Sequence, residues 1–108
     1  MIGQARMKGK STLQILSQSH AMEILNSLST KPMRFLDLKD VCRSNRTRSV
    51  RLKELEEKGL AKAVPKMIGR RAYTFYEITS IGKEALDLGE RLIQLQSKER
   101  RKKQSGIN

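Results

Sequence analysis

Four arginines lie close together in the middle of the chain, and their side chains are suited to binding a polyanion. Arg43, Arg46, Arg48 and Arg51 fall within nine residues. A guanidinium donates two parallel hydrogen bonds to a phosphate, or to the O6 and N7 atoms of guanine. Ser49 adds a hydroxyl donor in the same segment. This spacing therefore predicts a nucleic-acid contact. The alternative for each single arginine is an ordinary solvated charge on the surface.

A second basic cluster follows about twenty residues later. Lys66, Arg70 and Arg71 surround Gly69 in a segment that reads as a turn. Arginine favours a narrowed minor groove, where the negative potential is strongest. Lys31 and Arg34, earlier in the chain, are expected to contact phosphates, and Arg43 joins them in that role. Such contacts position a protein on DNA without specifying a sequence.

The composition supports a polyanionic partner and argues against an enzyme. The 108 residues carry 23 Lys and Arg against 11 Asp and Glu, a formal net charge of +12. One cysteine and one histidine leave no metal set and no nucleophile–base pair. We therefore expect no catalytic residue, metal or cofactor. No apolar run approaches the length of a membrane span or a signal sequence, so a cytoplasmic, nucleoid-associated protein without a membrane partner is expected.

The first half of the chain predicts four helical segments. Residues 12–18 form a short helix, and Ser19 is placed to cap a second one that Pro32 terminates. Residues 33–35 could form a very short strand. Phe35, Leu38, Val41 and Cys42 share one helical face, and residues 43–45 form a polar turn. Helical periodicity resumes at Ser44 or Thr47 and runs to Lys58, where Gly59 provides a C-terminal glycine.

The second half changes period twice. Residues 61–68 and 72–78 alternate as a β-hairpin with its turn at 69–71. Thr79 then caps a long helix whose apolar residues step by four and three, which is an a/d seam. That seam predicts a homodimer interface of Ile81, Ala85, Leu88, Leu92 and Leu95. We divide the chain into a flexible basic arm (1–10), a DNA-binding domain (11–80), a dimerisation helix (81–103) and a frayed tail (104–108).

The order of these elements resembles a known DNA-binding family. The segments RLKELEEKGL (51–60) and YEIT (76–79), followed by Gly82, resemble the winged helix-turn-helix domain of transcription regulators of the MarR, HxlR and ArsR kind. The resemblance covers about three-quarters of the chain. It implies an α+β, mostly helical fold with a two-stranded β-wing and a long C-terminal helix. It also implies double-stranded DNA as the partner, while no effector domain is visible.

The resemblance places the recognition helix at residues 45–58. Its N-terminal half holds Arg46, Ser49 and Arg51, which we expect to face the major groove, with Arg48 as a further candidate. The chain departs from the family pattern at position 48, which is often apolar. Either the helix starts later and leaves Arg48 free on its first turn, or Val50 offers a methyl contact to thymine.

Three further features have two interpretations each. Tyr73, Phe75 and Tyr76 suit packing in the wing better than base stacking. His20 suits a capping or packing role better than a ligand role. Cys42 lies near basic residues that would favour a thiolate sensor, but its apolar position favours a plain buried cysteine.

Three functions remain open on the sequence alone. The first is a dimeric, sequence-specific transcription regulator whose two-fold symmetry matches a palindromic site. The second is a non-specific architectural or chromatin-associated DNA-binding protein. The third is a winged-helix module that binds another protein. The clustered arginines and the heptad seam favour the first.

Overall fold

The described part of the chain forms four α-helices, one 3-10 helix and three strands. The computed structural model describes the backbone of residues 9–106 and the side chains of residues 9–98, so most of the expected basic arm lies outside the described residues. The elements are α1 (Thr12–Leu16), α2 (Ala21–Thr30), β1 (Met33–Arg34), a 3-10 helix (Leu36–Asp40), α3 (Asn45–Glu57), β2 (Ala61–Ile68), β3 (Arg71–Ile78) and α4 (Ser80–Gly106). The α+β fold with a two-stranded wing and a long last helix is confirmed.

The first two helices begin at different kinds of cap. Ser11 and Gln14 form a capping box at the start of α1, each side chain bonding the other's backbone N–H. The prediction that Ser19 caps α2 is wrong, because the N-cap residue is His20 with a left-handed φ of 69°. Its side chain makes no cap bond. The His20 ring instead contacts the carbonyl of Val41, 3.1 Å away, and so packs against a later part of the chain.

The helix that carries the arginines is well defined at both ends. Ser44 is the N-cap of α3, and its hydroxyl accepts a hydrogen bond from the amide of Thr47 at 3.1 Å. At the other end Gly59 adopts a φ of 72°, which is costly for other residues. The amide of Leu60 donates to the carbonyl of Leu55 at 2.9 Å, as in a Schellman motif. The predicted C-terminal glycine is thus confirmed.

The three strands form one antiparallel sheet in the order β1–β3–β2. The hairpin pairs eight residues of β2 with eight of β3, from Ala61 opposite Ile78 to Ile68 opposite Arg71. β1 pairs only through Met33 and Arg34, near the base of the hairpin. Because no third strand among residues 9–106 pairs with the outer half, that half projects as a two-stranded ribbon, which is the predicted wing.

Helix α4 begins at the point where the end of α3 meets the base of the wing. The hydroxyl of Thr79 donates to the carbonyl of Gly59 at 2.6 Å and accepts from the amide of Gly82 at 2.9 Å. The amide of Thr79 donates to the carbonyl of Leu60 at 3.1 Å. Helix α4 extends to Gly106, so the backbone of residues 104–106 continues it, while residues 107–108 of the expected tail lie outside the described residues.

All of these elements contribute to one hydrophobic core. Its largest members come from the first three helical segments, from α3 and from the start of the wing: Ile15, Ile24, Leu25, Leu38, Leu52, Leu55 and Leu60. The helix α4 adds Ala85 and Leu86. Burial of this core holds α3 by its inner face and leaves its outer face in solvent.

Candidate nucleic-acid interface

The outer face of α3 presents a polar and basic surface. Arg46, Ser49, Val50 and Lys53 are exposed, and their spacing of three, one and three residues puts them on one side of the helix. Leu52 and Leu55 face the core on the other side. Arg46 and Ser49 therefore lie where the sequence predicts. Lys53 was missed, although its position four residues after Ser49 places it on the same face.

Arg48 does not lie on that face. Its side chain is 1% exposed, and its guanidinium donates to three backbone carbonyls. The structure therefore buries Arg48 instead of placing it on the predicted DNA-facing side, because the helix starts at Asn45 and the inward direction falls on position 48. The alternative in which Arg48 lies free on a late first turn is wrong for the same reason. Val50 is exposed, as the other alternative requires.

Arg51 is also engaged within the protein. Its Nε donates to the carbonyl of Ser19 at 2.8 Å, and one terminal nitrogen lies 3.3 Å from a carboxylate oxygen of Glu54. Lys10 binds the other oxygen of Glu54 at 2.9 Å. Arg51 therefore turns away from the predicted groove-facing side in this structure, since the side chain is 12% exposed and ties α3 to the segment between α1 and α2.

A polar depression lies beside the N-terminus of α3. It has a volume of about 390 Å³ and is lined by Leu36, Lys39, Asp40, Arg43, Asn45 and Arg48. Arg43 is exposed at its edge. The N-terminal end of a helix carries a partial positive charge, which adds to that of Lys39 and Arg43. Arg43 is thus placed as a phosphate contact would require, and Lys39 is a neighbour that sequence reasoning missed.

The wing places its basic residues at two heights. Arg70 and Arg71 are exposed at the turn, where Gly69 adopts a φ of 64°. Lys66 lies lower on the ribbon, 3.7 Å from a carboxylate oxygen of Glu77 and 5.1 Å from the centre of the Phe75 ring. Arg70 and Arg71 are therefore better placed than Lys66 to reach a ligand at the tip. Sequence reasoning missed Met67 and Ile68, two exposed apolar side chains beside that turn.

The two residues expected to contact phosphates before the 3-10 helix have different surroundings. Lys31 is exposed at the C-cap of α2. Arg34 forms a fork-like pair with Asp37, with two nitrogen–oxygen distances of 3.2 Å. Hydrogen bonding from Arg34 lowers the pKa of the Asp37 carboxyl below its ordinary value. Since Asp37 offsets the charge of Arg34, Lys31 is the stronger candidate for a phosphate contact.

The three wing aromatics divide between the two faces of the sheet. Tyr76 packs against the core, and burial raises its pKa, with Glu56 as a smaller contribution. Tyr73 and Phe75 alternate with it and lie on the opposite face. Cations cover both rings, since Arg34 lies 5.5 Å from the centre of Tyr73 and Lys66 covers Phe75. Packing within the wing accounts for all three.

Cys42 is buried, as predicted. Its side chain is 1% exposed, and the thiol lies 3.8 Å from the carbonyl of Ser44. Among the described residues no group of three or more His, Cys, Asp or Glu could hold a metal ion. None of the described helices is long and apolar enough to cross a bilayer.

An apolar groove runs between α1 and α4. It has a volume of about 480 Å³ and is lined mainly by Leu13, Leu16, Ala85, Leu88, Leu92 and Leu95. Four of the five residues expected to form a dimer seam are exposed, namely Ile81, Leu88, Leu92 and Leu95. Ala85 departs from that expectation, because it is 8% exposed and packs in the chain's own core. Leu13 on α1 was missed, and it extends the same apolar surface.

Comparison with solved structures identifies the fold. Diamide-treated YodB from B. subtilis superposes with a TM-score of 0.74, at 20% identity, over 86% of this chain and 95% of its own. A protein described as a MarR-family transcriptional regulator from Enterococcus faecalis superposes with a TM-score of 0.74, at 19% identity, over 87% of this chain and 86% of its own. An ArsR-like transcriptional regulator from Rhodococcus sp. RHA1 superposes with a TM-score of 0.52, at 21% identity, over 88% of this chain and 84% of its own.

These similarities show that the chain has the winged helix-turn-helix fold. They span most of both chains in each case. No protein-family model and no curated protein sequence matches the chain. At about one-fifth identity the likeness concerns the fold, and the function has to be argued from the site.

Proposed function

We propose that the protein is a DNA-binding transcription regulator. The outer face of α3 enters the major groove, and the tip of the wing contacts the backbone or the minor groove beside it. The observation that carries this proposal is the surface of α3, where Arg46, Ser49 and Lys53 are exposed together on a helix held rigidly by its inner face. A helix of this kind fits the major groove, and its N-terminal half meets the base edges.

The charge along α3 supports this orientation. The exposed acids Glu56 and Glu57 lie at the C-terminal end, while Arg46 and the depression beside Arg43 lie at the N-terminal end. Phosphates repel the acidic end, so the basic end approaches the duplex. Arg70 and Arg71 at the wing and Lys31 at the end of α2 supply further phosphate contacts in the proposal, and Lys66 contributes from lower on the ribbon.

We further propose that the protein acts as a homodimer through α4 and α1. A contiguous apolar surface of this kind marks an interaction site on a soluble protein. It is formed by Leu13, Leu88, Leu92 and Leu95, all more than half exposed. Dimerisation through this surface would add a second recognition helix. The two helices could then bind two half-sites one helical turn apart, as in a palindromic operator.

The architectural alternative is supported by the basic residues at both ends of the sequence, namely Arg6, Lys8 and Lys10 and the run at residues 98–103. A protein that only coats DNA needs phosphate contacts but no base-reading face. The protein-interaction alternative does not require exposed Arg46, Arg70 and Arg71. The specific-regulator proposal uses the exposed Arg46, Arg70 and Arg71 and assigns base reading to Arg46, Ser49 and Val50.

Replacement of Arg46 tests the proposed base contact. We expect Arg46→Ala to weaken binding to a preferred duplex by about 1–3 kcal/mol, with a much smaller loss on random DNA, because a bidentate guanine contact is removed. Arg70→Ala should weaken both duplexes evenly and lower the slope of log affinity against log salt by about 0.9 per subunit. Fluorescence anisotropy with both duplexes across a salt series measures both effects.

Lys58→Ala serves as the matched control. Lys58 is a basic residue at the acidic end of the same helix, so its loss should leave both affinities close to those of the wild type. Equal losses on the two duplexes for Arg46→Ala would show that this arginine only positions the protein. The same result for Ser49→Ala would favour the architectural alternative.

A further inference from the structure

The turn that joins the 3-10 helix to α3 is held by side chains from outside it. Two consecutive carbonyls, those of Cys42 and Arg43, accept hydrogen bonds from the Nε and Nη2 atoms of Arg48, at 2.9 and 3.1 Å. The carbonyl just before them, that of Val41, lies 3.1 Å from the ring of His20. The carbonyl just after them, in the N-cap residue, accepts the first bond of α3. Each peptide carbonyl across this turn thus has a partner.

Arg48 also reaches the element that precedes the turn. Its Nη1 atom donates to the carbonyl of Phe35 at 3.3 Å, and the guanidinium lies 4.5 Å from the centre of the Phe35 ring. Phe35 is the N-cap residue of the 3-10 helix. One side chain therefore connects the start of that helix, the turn and the second turn of α3. These are the parts whose relative placement sets how α3 is presented.

Burying the Arg48 guanidinium costs desolvation free energy, and no ion pair among the described residues offsets that cost. Among the described residues the ion pairs do not include Arg48. A buried guanidinium loses hydration, and an apolar side chain of similar volume often gives equal or greater stability. The planar fork, in contrast, donates in several fixed directions at once. Arg48 therefore fixes the geometry of the turn, which an apolar residue could not do.

We propose that Arg48 is a positioning residue for DNA recognition, which binds no DNA itself but holds the turn so that Arg43, Asn45 and Arg46 keep a fixed position relative to the core. The proposal rests on the proposed function, since it names what makes that interface specific. Base reading is sensitive to placement, because a bidentate contact needs a well-oriented fork. Phosphate contacts from flexible surface side chains are less sensitive. Loss of Arg48 should therefore reduce specificity more than general affinity.

Two variants separate geometry from charge. Arg48→Met fills a similar volume without charge or donors. Arg48→Lys keeps the charge, but a single ammonium group on a flexible chain cannot reproduce a planar fork that stacks on Phe35. Both variants are compared with the wild type at a low temperature at which circular dichroism shows them folded. Lys58→Ala again serves as the control.

The first measurement is anisotropy with a selected and a random duplex across a salt series. We expect both Arg48 variants to lose roughly tenfold or more in affinity for the selected duplex, to change little on random DNA, and to keep the wild-type salt slope. Full specificity in Arg48→Lys would overturn the proposal, because charge alone would suffice. A slope lower by about one contact per subunit would also overturn it, because Arg48 would then contact a phosphate directly.

The second measurement, amide hydrogen exchange without DNA, does not depend on the proposed function. We expect residues 42–47 to exchange faster in Arg48→Met, while the hairpin keeps its wild-type protection. Unchanged exchange in the turn would overturn the positioning role, as would uniformly faster exchange, which indicates general destabilisation. A wild type without preference between duplexes would contradict the proposed function, and the exchange result would still decide whether Arg48 holds the turn.

Discussion

Gly82→Ala should destabilise the protein by about 3 kcal/mol or more, because a methyl group at this position has no room. A Cβ atom built there would clash with the backbone carbonyl oxygen of Leu60 and would lie 2.8 Å from the Cγ1 atom of Ile78. Overpacking of this kind usually costs about 1–3 kcal/mol, and here the helix cannot move without stretching the bonds that Thr79 makes to Gly59 and Leu60. For a domain of this size the melting temperature should fall by at least about 10 °C.

Gly89→Ala in the same helix is the matched control. A Cβ there would lie 2.7 Å from the terminal methyl carbon of Met22, which is the end of a flexible side chain and can rotate away. The gain in helix propensity, up to about 1 kcal/mol, offsets that adjustment. Thermal and urea denaturation at equal protein concentration compare the two variants. Similar small changes in both would contradict the close approach of α4 to the junction of α3 and the wing.

Leu92→Glu should abolish the dimer and most of the affinity for a palindromic site. Leu92 is 55% exposed in one protomer, so the substitution leaves the core intact. Across a two-fold interface it would place two carboxylates in an apolar seam. A monomer loses the second, effectively intramolecular, binding event, so affinity for the full site should fall by roughly 10²–10⁴-fold. Sedimentation and anisotropy on full and half sites measure the two effects.

Gln94→Glu adds the same side chain at an exposed position two residues further along, off the proposed seam. It should leave both mass and affinity unchanged. A wild type that sediments as a monomer at high micromolar concentration would remove the dimer from the account. A dimer that survives Leu92→Glu would show that another surface forms the interface.

The sequence predicts the elements well where a local signal defines them. Gly59 ends α3 and Thr79 caps α4, as glycine at a left-handed position and a hydroxyl at a helix start require. The alternating pattern predicts the hairpin because one face of its base must be buried, but β3 begins at Arg71, one residue before the predicted start. These signals depend on neighbours within a few residues, so they can be read without knowing the tertiary structure.

The directions of the arginines could not be predicted in the same way. Arg48 faces inward because carbonyls from residues 35, 42 and 43 converge on one point, and only the folded turn brings them together. Arg51 turns toward Ser19, which lies thirty-two residues away in sequence. Arg46 shows the opposite case, since no partner in the described part of the chain draws it inward and the helical period places it on the outer face. Long-range polar partners therefore decide which arginines can meet DNA.

The most direct test of the central claim is the affinity of the wild-type protein for duplexes selected from a random library, compared with random duplexes across a salt series. We expect the selected duplex to bind at least about 10³-fold more tightly, with two protomers per palindromic site. On both duplexes log affinity should fall linearly with log salt. Equal affinity for selected and random DNA at every salt concentration would contradict specific recognition, and absence of binding to either would contradict a DNA-binding function altogether.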